Sequence, residues 1–335
     1  LGMGGTAIDL GGDGVAAFQP LARVDTPQGR ADALNWVMTI LAQEGLADTP
    51  DIKEPVWSAL GSLRSAPAEQ RHLTGLRLLV QNAAVQAALL PYTQDGAMGG
   101  VFDGAEDRLN LSDVVLFEME EIMARPKAAA PALLHLFDRL EERFDGNPTL
   151  LILDEAWAYL RDPAFANQIQ AWLKTLRKKN VAVVFATQEL ADVEQSAIAA
   201  TIFEACPTRI FLPNDRAREP RTRAFYESLG FNGRQIGLIG EAAPKRDYYV
   251  QTRAGARLID LALGPAALAF LGASTPQDQA AIDRVLEADG APSFAEAWLR
   301  QKALPEAANA LARFGASATP HATPKSAREL TGASS

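Results

Sequence analysis

The sequence predicts an α/β fold built on a parallel sheet, with a long helical stretch ahead of most of it. Three observations carry that prediction. From Asn147 onward, strands and helices alternate over 149–153, 165–179, 181–186, 191–204 and 208–212. That rhythm requires right-handed crossovers between parallel strands. The first strand, Leu150-Leu151-Ile152-Leu153, is apolar at every position, as expected of a strand buried on both faces. Between 26 and 145, apolar residues recur instead at three- and four-residue spacing, the period of a helix with one buried face.

Taken in order, residues 1–25 read as a first piece of the sheet core. Thr6 to Leu10 forms a short strand, and Gly11-Gly12-Asp13-Gly14 supplies a turn tolerant of positive φ. The helical stretch, 26–145, predicts helices over 33–44, 54–63, 69–88 and 130–144. Pro50, Pro55, Pro67, Pro91, Asp95-Gly96 and Gly99-Gly100 punctuate them. The core resumes over 146–315. After Leu212 come helices over 218–229 and 233–240, then a hairpin of 247–252 and 256–261 turning at Ala254-Gly255. Pro265, Pro276 and Pro292 open helices over 265–271, 276–287 and 292–314, because a first turn has no use for the N–H that proline lacks. Residues 316–335 are small and polar, so disorder is expected there.

Composition narrows the function classes. The 335 residues suffice for two or three units with a sizeable core. A net charge of −9 makes no electrostatic case for direct nucleic-acid binding. The single cysteine, Cys206, cannot form an internal disulfide, which favours a reducing, cytoplasmic setting. His72, His135 and His321 lack the spacing of metal ligands. The most apolar late stretch, 258–273, is interrupted by Asp260, Gly264 and Pro265 and is unsuited to crossing a membrane.

Chemistry concentrates at strand ends. Asp154 and Glu155 follow the apolar strand directly, at the end where open α/β sheets bind ligands. In a nucleotide-hydrolysing site Asp154 would hold Mg2+ through water, and Glu155 would orient and polarise the attacking water. Leu150–Trp157 reads equally well as a strand whose last acids cap the next helix. The strand 181–186 runs into Thr187-Gln188. A neutral amide there can bond a γ-phosphate or a water without neutralising the acids; both residues also suit a helix cap. Arg216 and Arg246 each follow a proline-containing turn. Either is a candidate for a cation reaching across a subunit interface, while a surface ion pair, for Arg246 with Asp247, is the competing explanation.

These motifs occur together, in one order, in a known family. Leu150–Trp157, Phe185–Gln188, Ile210–Asn214, Pro244–Tyr249 and Leu263–Phe270 follow Asp9–Gly14 and Phe18–Leu21. Over roughly residues 5–300 the chain resembles the C-terminal ATPase domain of TrbE-type (VirB-four) conjugal-transfer proteins. The resemblance implies a RecA-like P-loop NTPase core with its helical insert, using ATP and Mg2+. Asp154, Thr187 and Gln188 would then contact the cofactors, and Asp154, Glu155, Gln188, Arg216 and Arg246 would act in catalysis. It also implies homo-hexamers docked on the cytoplasmic side of the inner membrane beside other type IV secretion subunits, energising pilus assembly and substrate transfer.

One departure from the family qualifies this. A phosphate loop needs Gly-x-x-x-x-Gly-Lys followed by Ser or Thr, and no lysine here follows a glycine. Gly11-Gly12-Asp13-Gly14 is no substitute, because its acid repels phosphate. The family's loop lies upstream of the segment where this chain begins, at Leu1 rather than a methionine. The expectation is therefore a piece of a longer protein, hydrolysing ATP poorly or not at all by itself; a degenerate copy is the rival explanation. Two further classes remain: a DNA-translocating motor of the coupling-protein or FtsK/HerA kind, and a non-catalytic docking module for secretion partners. Lys174, Arg177, Lys178 and Lys179 form a cationic cluster, but at a helix C-terminus they complement the dipole.

Overall fold

A computed structural model describes residues 5–10, 18–107, 109, 112–155, 160, 163–188 and 196–317. Gly11–Gly14, Trp157, the start of the helix expected from Ala191, and the tail beyond 317 lie outside these residues. The chain divides into a larger unit, Thr6–Leu261, and a smaller one made of Ala262–Ser335 with Leu1–Gly5.

The larger unit opens with β1 (Thr6–Asp9). It lies parallel to β2 (Val115–Glu118), with Thr6 opposite Val115 and Asp9 opposite Glu118. β2 corrects the expectation that 26–145 is helical throughout. Val114-Val115-Leu116-Phe117 has β-branched and aromatic character, but the run is short, and a partner more than a hundred positions away decides its conformation.

The helices between the two strands are capped by local chemistry. Thr26 accepts a hydrogen bond from Gly29 N (3.0 Å) at the start of α1 (Pro27–Gln43). Gly29 is required there, since a Cβ would collide with the Arg23 carbonyl. Next comes α2 (Pro50–Leu63). The single helix expected over 69–88 is instead a 3-10 turn (Ala68–Gln70), α3 (Leu73–Leu79) and α4 (Ala83–Leu89). The break is local: Val80 is extended, and Asn82 Oδ1 accepts from Ala84 N (3.0 Å) and Val85 N (3.1 Å). Such side-chain bonds compete with the helical ladder and restart it. After α5 (Gly99–Phe102), β2 and α6 (Glu120–Met123), α7 (Pro126–Glu141) closes the region. Its core joins Phe18, Trp36, Tyr92 and Phe102, and Trp36 Nε1 donates to the Pro131 carbonyl at 2.8 Å.

β3 (Thr149–Leu153) crosses through α8 (Pro163–Thr175) and a 3-10 turn (Leu176–Lys179) to β4 (Val181–Phe185). The two strands are parallel, with Leu153 opposite Phe185. Leu151, Leu153, Val183 and Phe185 pack against the cluster containing Ile169 and Trp172 of α8. The other face does not meet the expectation of burial on both sides. Leu150 is 62% exposed and Ile152 61%.

After α9 (Ala199–Ala205), β5 (Arg209–Phe211) departs from the expected parallel order. It pairs antiparallel with β6 (Asp247–Thr252), which pairs antiparallel with β7 (Gly255–Asp260). α10 (Pro220–Ser228) and α11 (Gly233–Glu241) lie between β5 and β6 in the chain. Phe211, Tyr226, Phe231 and Tyr249 make an edge-on aromatic core beneath this sheet.

The smaller unit contains α12 (Pro265–Leu271), α13 (Pro276–Gln301) and α14 (Pro305–Ser317). The break expected before Pro292 is a kink at Gly290, whose φ of 73° only glycine adopts without strain. A second break, at Ala303, departs from the single helix expected over 292–314, and Pro305 begins the last helix. Among the described residues no helix is long and apolar enough to cross a membrane.

Candidate active site

Parallel pairing of β3 and β4 brings two strand exits to one edge. Ala186 N donates to the Leu153 carbonyl at 3.0 Å, so the ladder continues to the last residue of β3. Asp154-Glu155 then turns away from one strand and Thr187-Gln188 from the other. Glu155 N donates to Asp154 Oδ1 at 3.1 Å. Gln188 Nε2 donates to Glu155 Oε1, linking the two strand ends directly. Glu155 sits at φ 51°, a left-handed conformation that side chains other than Gly, Asn and Asp seldom occupy. Such strain persists where surrounding structure fixes it, and it accumulates at functional sites.

Asp154, Glu155 and Gln188 are exposed, so the pair of carboxylates is open to a ligand arriving from solvent. Among the described residues no group of three or more His, Cys, Asp or Glu side chains could enclose a metal ion. A single carboxylate is nevertheless a normal protein contribution to Mg2+, which retains most of its waters and takes phosphate oxygens. Asp154 fits that role. No glycine-rich loop ending in lysine is present in these residues.

The two arginines stand elsewhere. Arg216 is exposed in the turn after β5, where its N–H donates to Asn214 Oδ1 at 3.0 Å. Arg246 precedes β6, and its Nε lies 3.0 Å from Asp247 Oδ1 and 3.8 Å from Asp260 Oδ2. The Ala243 amide and Arg246 together hold the Asp247 carboxyl below the usual range. Among the described residues neither arginine forms an ion pair with Asp154 or Glu155. Within the cationic cluster, Lys179 Nζ donates to Glu141 Oε1 at 2.8 Å while Trp172 Nε1 donates to Oε2 at 2.9 Å, so Trp172 ties α8 and Lys179 ties the turn after it to α7.

Sequence reasoning missed a second polar cluster. A cavity of about 170 Å³ is lined by Arg23, Asp32, Asp107, His135, Asp138 and Arg139, among others. His135 Nε2 and Arg139 Nε each lie 3.1 Å from Asp107 Oδ2. Burial pushes the Asp107 carboxyl up, but His135 and Arg139 outweigh it and leave it below the ordinary value. Asp138 goes the other way: burial first, then the charges of Asp32 and Glu141, push it up to about 7. The signal existed in Asp138 and Glu141, on adjacent turns of a helix with buried neighbours. It was hidden because Asp32 and Arg23 come from distant positions.

Comparison with known proteins finds relatives over most of the chain. Residues 81–241 match the family model described as the TraG P-loop domain. The chain is 44% identical over 307 residues to "Conjugal transfer protein TrbE" of Rhizobium radiobacter, a match covering 91% of the chain. It is 42% identical over 315 residues, 92% of the chain, to a probable TrbE conjugal transfer protein of Sinorhizobium fredii. Over most of its length the chain is similar to TrbE-type conjugal transfer proteins. It spans 37% and 47% of the lengths of those two relatives. More distantly, it is 33% identical over 218 residues to "Type IV secretion system protein virB4" of Bartonella henselae. The solved structure of VirB4 from Thermoanaerobacter pseudethanolicus superimposes with a TM-score of 0.58, covering 78% of each chain at 15% identity. At that identity the match bears on the fold, and the fold is the RecA-like α/β core of P-loop NTPases.

Proposed function

We propose that this chain supplies the catalytic-carboxylate half of an ATPase that powers conjugal transfer through a type IV secretion apparatus. The observation that carries the proposal is the Gln188–Glu155 hydrogen bond across the C-terminal edge of β3 and β4. Two acids following one strand are compatible with a helix cap. An acid joined to the amide that follows the neighbouring strand supports the reading of these strand ends as a site.

In this reading Glu155 would accept a hydrogen bond from the attacking water and draw off its proton as the water oxygen bonds to the γ-phosphorus and the bond from that phosphorus to the β,γ-bridging oxygen breaks, with ADP as the leaving group. Asp154 holds a water of the Mg2+ shell. Gln188, a neutral amide with two donors and an acceptor, positions Glu155 and offers a hydrogen bond toward the γ-phosphate or the water. Thr187 lies one residue earlier at the same edge. Bound Mg2+ neutralises charge on the phosphates. Arg216 or Arg246 reaches a neighbouring subunit's site, in a homo-hexamer lying against the cytoplasmic face of the inner membrane with other secretion subunits. The motif order and the identity to TrbE-type relatives support these assignments.

The test separates family chemistry from the chemistry of these residues. In a longer TrbE-type protein that carries a phosphate loop, Glu155→Gln should lower ATP turnover by at least ~100-fold and leave nucleotide binding intact. The 335-residue chain alone should show negligible turnover. Motor-like rates from this chain alone, abolished by Glu155→Gln, would overturn the division of labour proposed here.

A further inference from the structure

The polar cavity lined by α1 and α7 shares no residue with the strand-end site, and its charges do not balance. Its arginines are already engaged. Arg139 Nε and His135 Nε2 each lie 3.1 Å from Asp107 Oδ2. Arg139 Nη1 also meets Glu142 Oε2 at 2.5 Å, and Arg23 pairs with the other oxygen of Glu142. Two partly buried carboxyls on the lining have no such match. Asp32 of α1 accepts a hydrogen bond from Gln28 Nε2 at 2.8 Å and, among the described residues, meets no cation. Asp138 of α7 has neither a hydrogen bond nor an ion pair among the described residues.

A buried neutral group is left over as well. Gln19 lines the cavity and is only 5% exposed. Its Nε2 donates to the Ala68 carbonyl at 2.7 Å, which fixes the orientation of the amide. Oε1 then has no donor among the described residues, and a buried acceptor without one is costly. What the ion pairs leave unmatched is two carboxyls and an amide oxygen, all acceptors facing one enclosed space.

We propose that this cavity binds a guanidinium group, held by Asp138 and Asp32 together with Gln19 Oε1. None of these residues belongs to the strand-end site, so the proposal is independent of the ATPase reading. Size and chemistry select the class. The cavity is about 170 Å³, close to the ~150 Å³ that admits a benzene ring in another protein. A guanidinium is a planar ion of that scale, always charged, with N–H donors in a fork that matches carboxylates. It is more weakly hydrated than an ammonium, so it gives up less on leaving water. Trp36 supplies an apolar wall suited to the faces of such an ion. A divalent metal fits worse, because among the described residues no three His, Cys, Asp or Glu side chains converge on one point.

The experiment titrates the full chain with methylguanidinium by calorimetry. At pH 8 it should show saturable one-site binding with a Kd of ~1 mM or tighter. Asp138 must be ionised to hold the cation. Its carboxyl, pushed up to about 7 by burial and by Asp32, Glu141 and Glu142 against the pull of Arg23, regains its proton on acidification. Affinity should therefore fall ~10-fold from pH 8 to pH 6. Asp138→Asn should weaken binding at least ~10-fold and abolish that pH dependence. Asp32→Asn should weaken binding and keep the pH dependence, and it carries the test if Asp138→Asn proves unfolded by circular dichroism. Asp289→Asn, at an exposed position of α13, should change nothing. Tetramethylammonium, which has the charge without N–H donors, should not compete. No saturation below ~20 mM at pH 8, or unaltered binding in both cavity variants, would overturn the site. Equal competition by tetramethylammonium, or displacement by an equal concentration of Mg2+, would overturn the guanidinium assignment.

Discussion

The helical region from α1 to α7 and the β3–β4 layer solve the burial problem differently. In the first, Phe18, Trp36, Tyr92 and Phe102 interlock with almost no exposure, and helices α1 to α7 share one core. In the second, two apolar residues of each strand face outward: Leu150 and Ile152 of β3, and Ala182 and Val184 of β4. A helix satisfies its own backbone and needs one covered stripe. A parallel strand pair needs its neighbours for hydrogen bonds and two coverings for its side chains. The first arrangement closes with the residues at hand, and the second remains open, among the described residues, beside the candidate site.

The largest effect should come from breaking the closed region. Phe102→Ala removes a ring fully buried among three other aromatics. It should cost about 3–5 kcal/mol in denaturant unfolding, and a loss under about 1 kcal/mol would show that this core is less tightly packed than described.

Asp138 gives a smaller, pH-dependent effect. Its carboxyl is held near 7 in the folded protein, above an unfolded value of about 4. Between those values the unfolded chain releases a proton that the folded one retains, so this group's contribution to stability falls as pH rises from about 4 to about 7 and is level above. Asp138→Asn should therefore raise stability by about 1–3 kcal/mol at pH 8, after discounting for partial exposure, and change little at pH 4. Thermal unfolding at both pH values checks this; a difference independent of pH would remove the link to titration.

The open layer should respond least. Ile152→Thr exchanges one β-former for another on an exposed face. It should shift unfolding by no more than about 0.5 kcal/mol. A loss of about 2 kcal/mol or more would mean that the face is covered within this chain.

The candidate site was more legible than the fold around it. Asp154, Glu155 and Gln188 could be read because each follows an apolar strand within a few residues, and the polarity change at a strand end is local. The break at Val80–Asn82 was missed because apolar spacing continued through it while an asparagine side chain captured two amides. β2 escaped notice because four apolar residues suit a helix or a strand equally well.

By itself the sequence determined where strands end in acid or amide, which segments are helical, and that no phosphate loop lies within these residues. Those properties depend on neighbours in the chain. Tertiary structure alone decided that β5 turns antiparallel onto β6, that Gln188 reaches Glu155, that Asp32 and Asp138 share a cavity, and that one face of β3–β4 stays open. Each of these depends on which distant segment arrives to satisfy a hydrogen bond or cover an apolar surface. Local pattern states the need, and only the folded chain shows whether it is met.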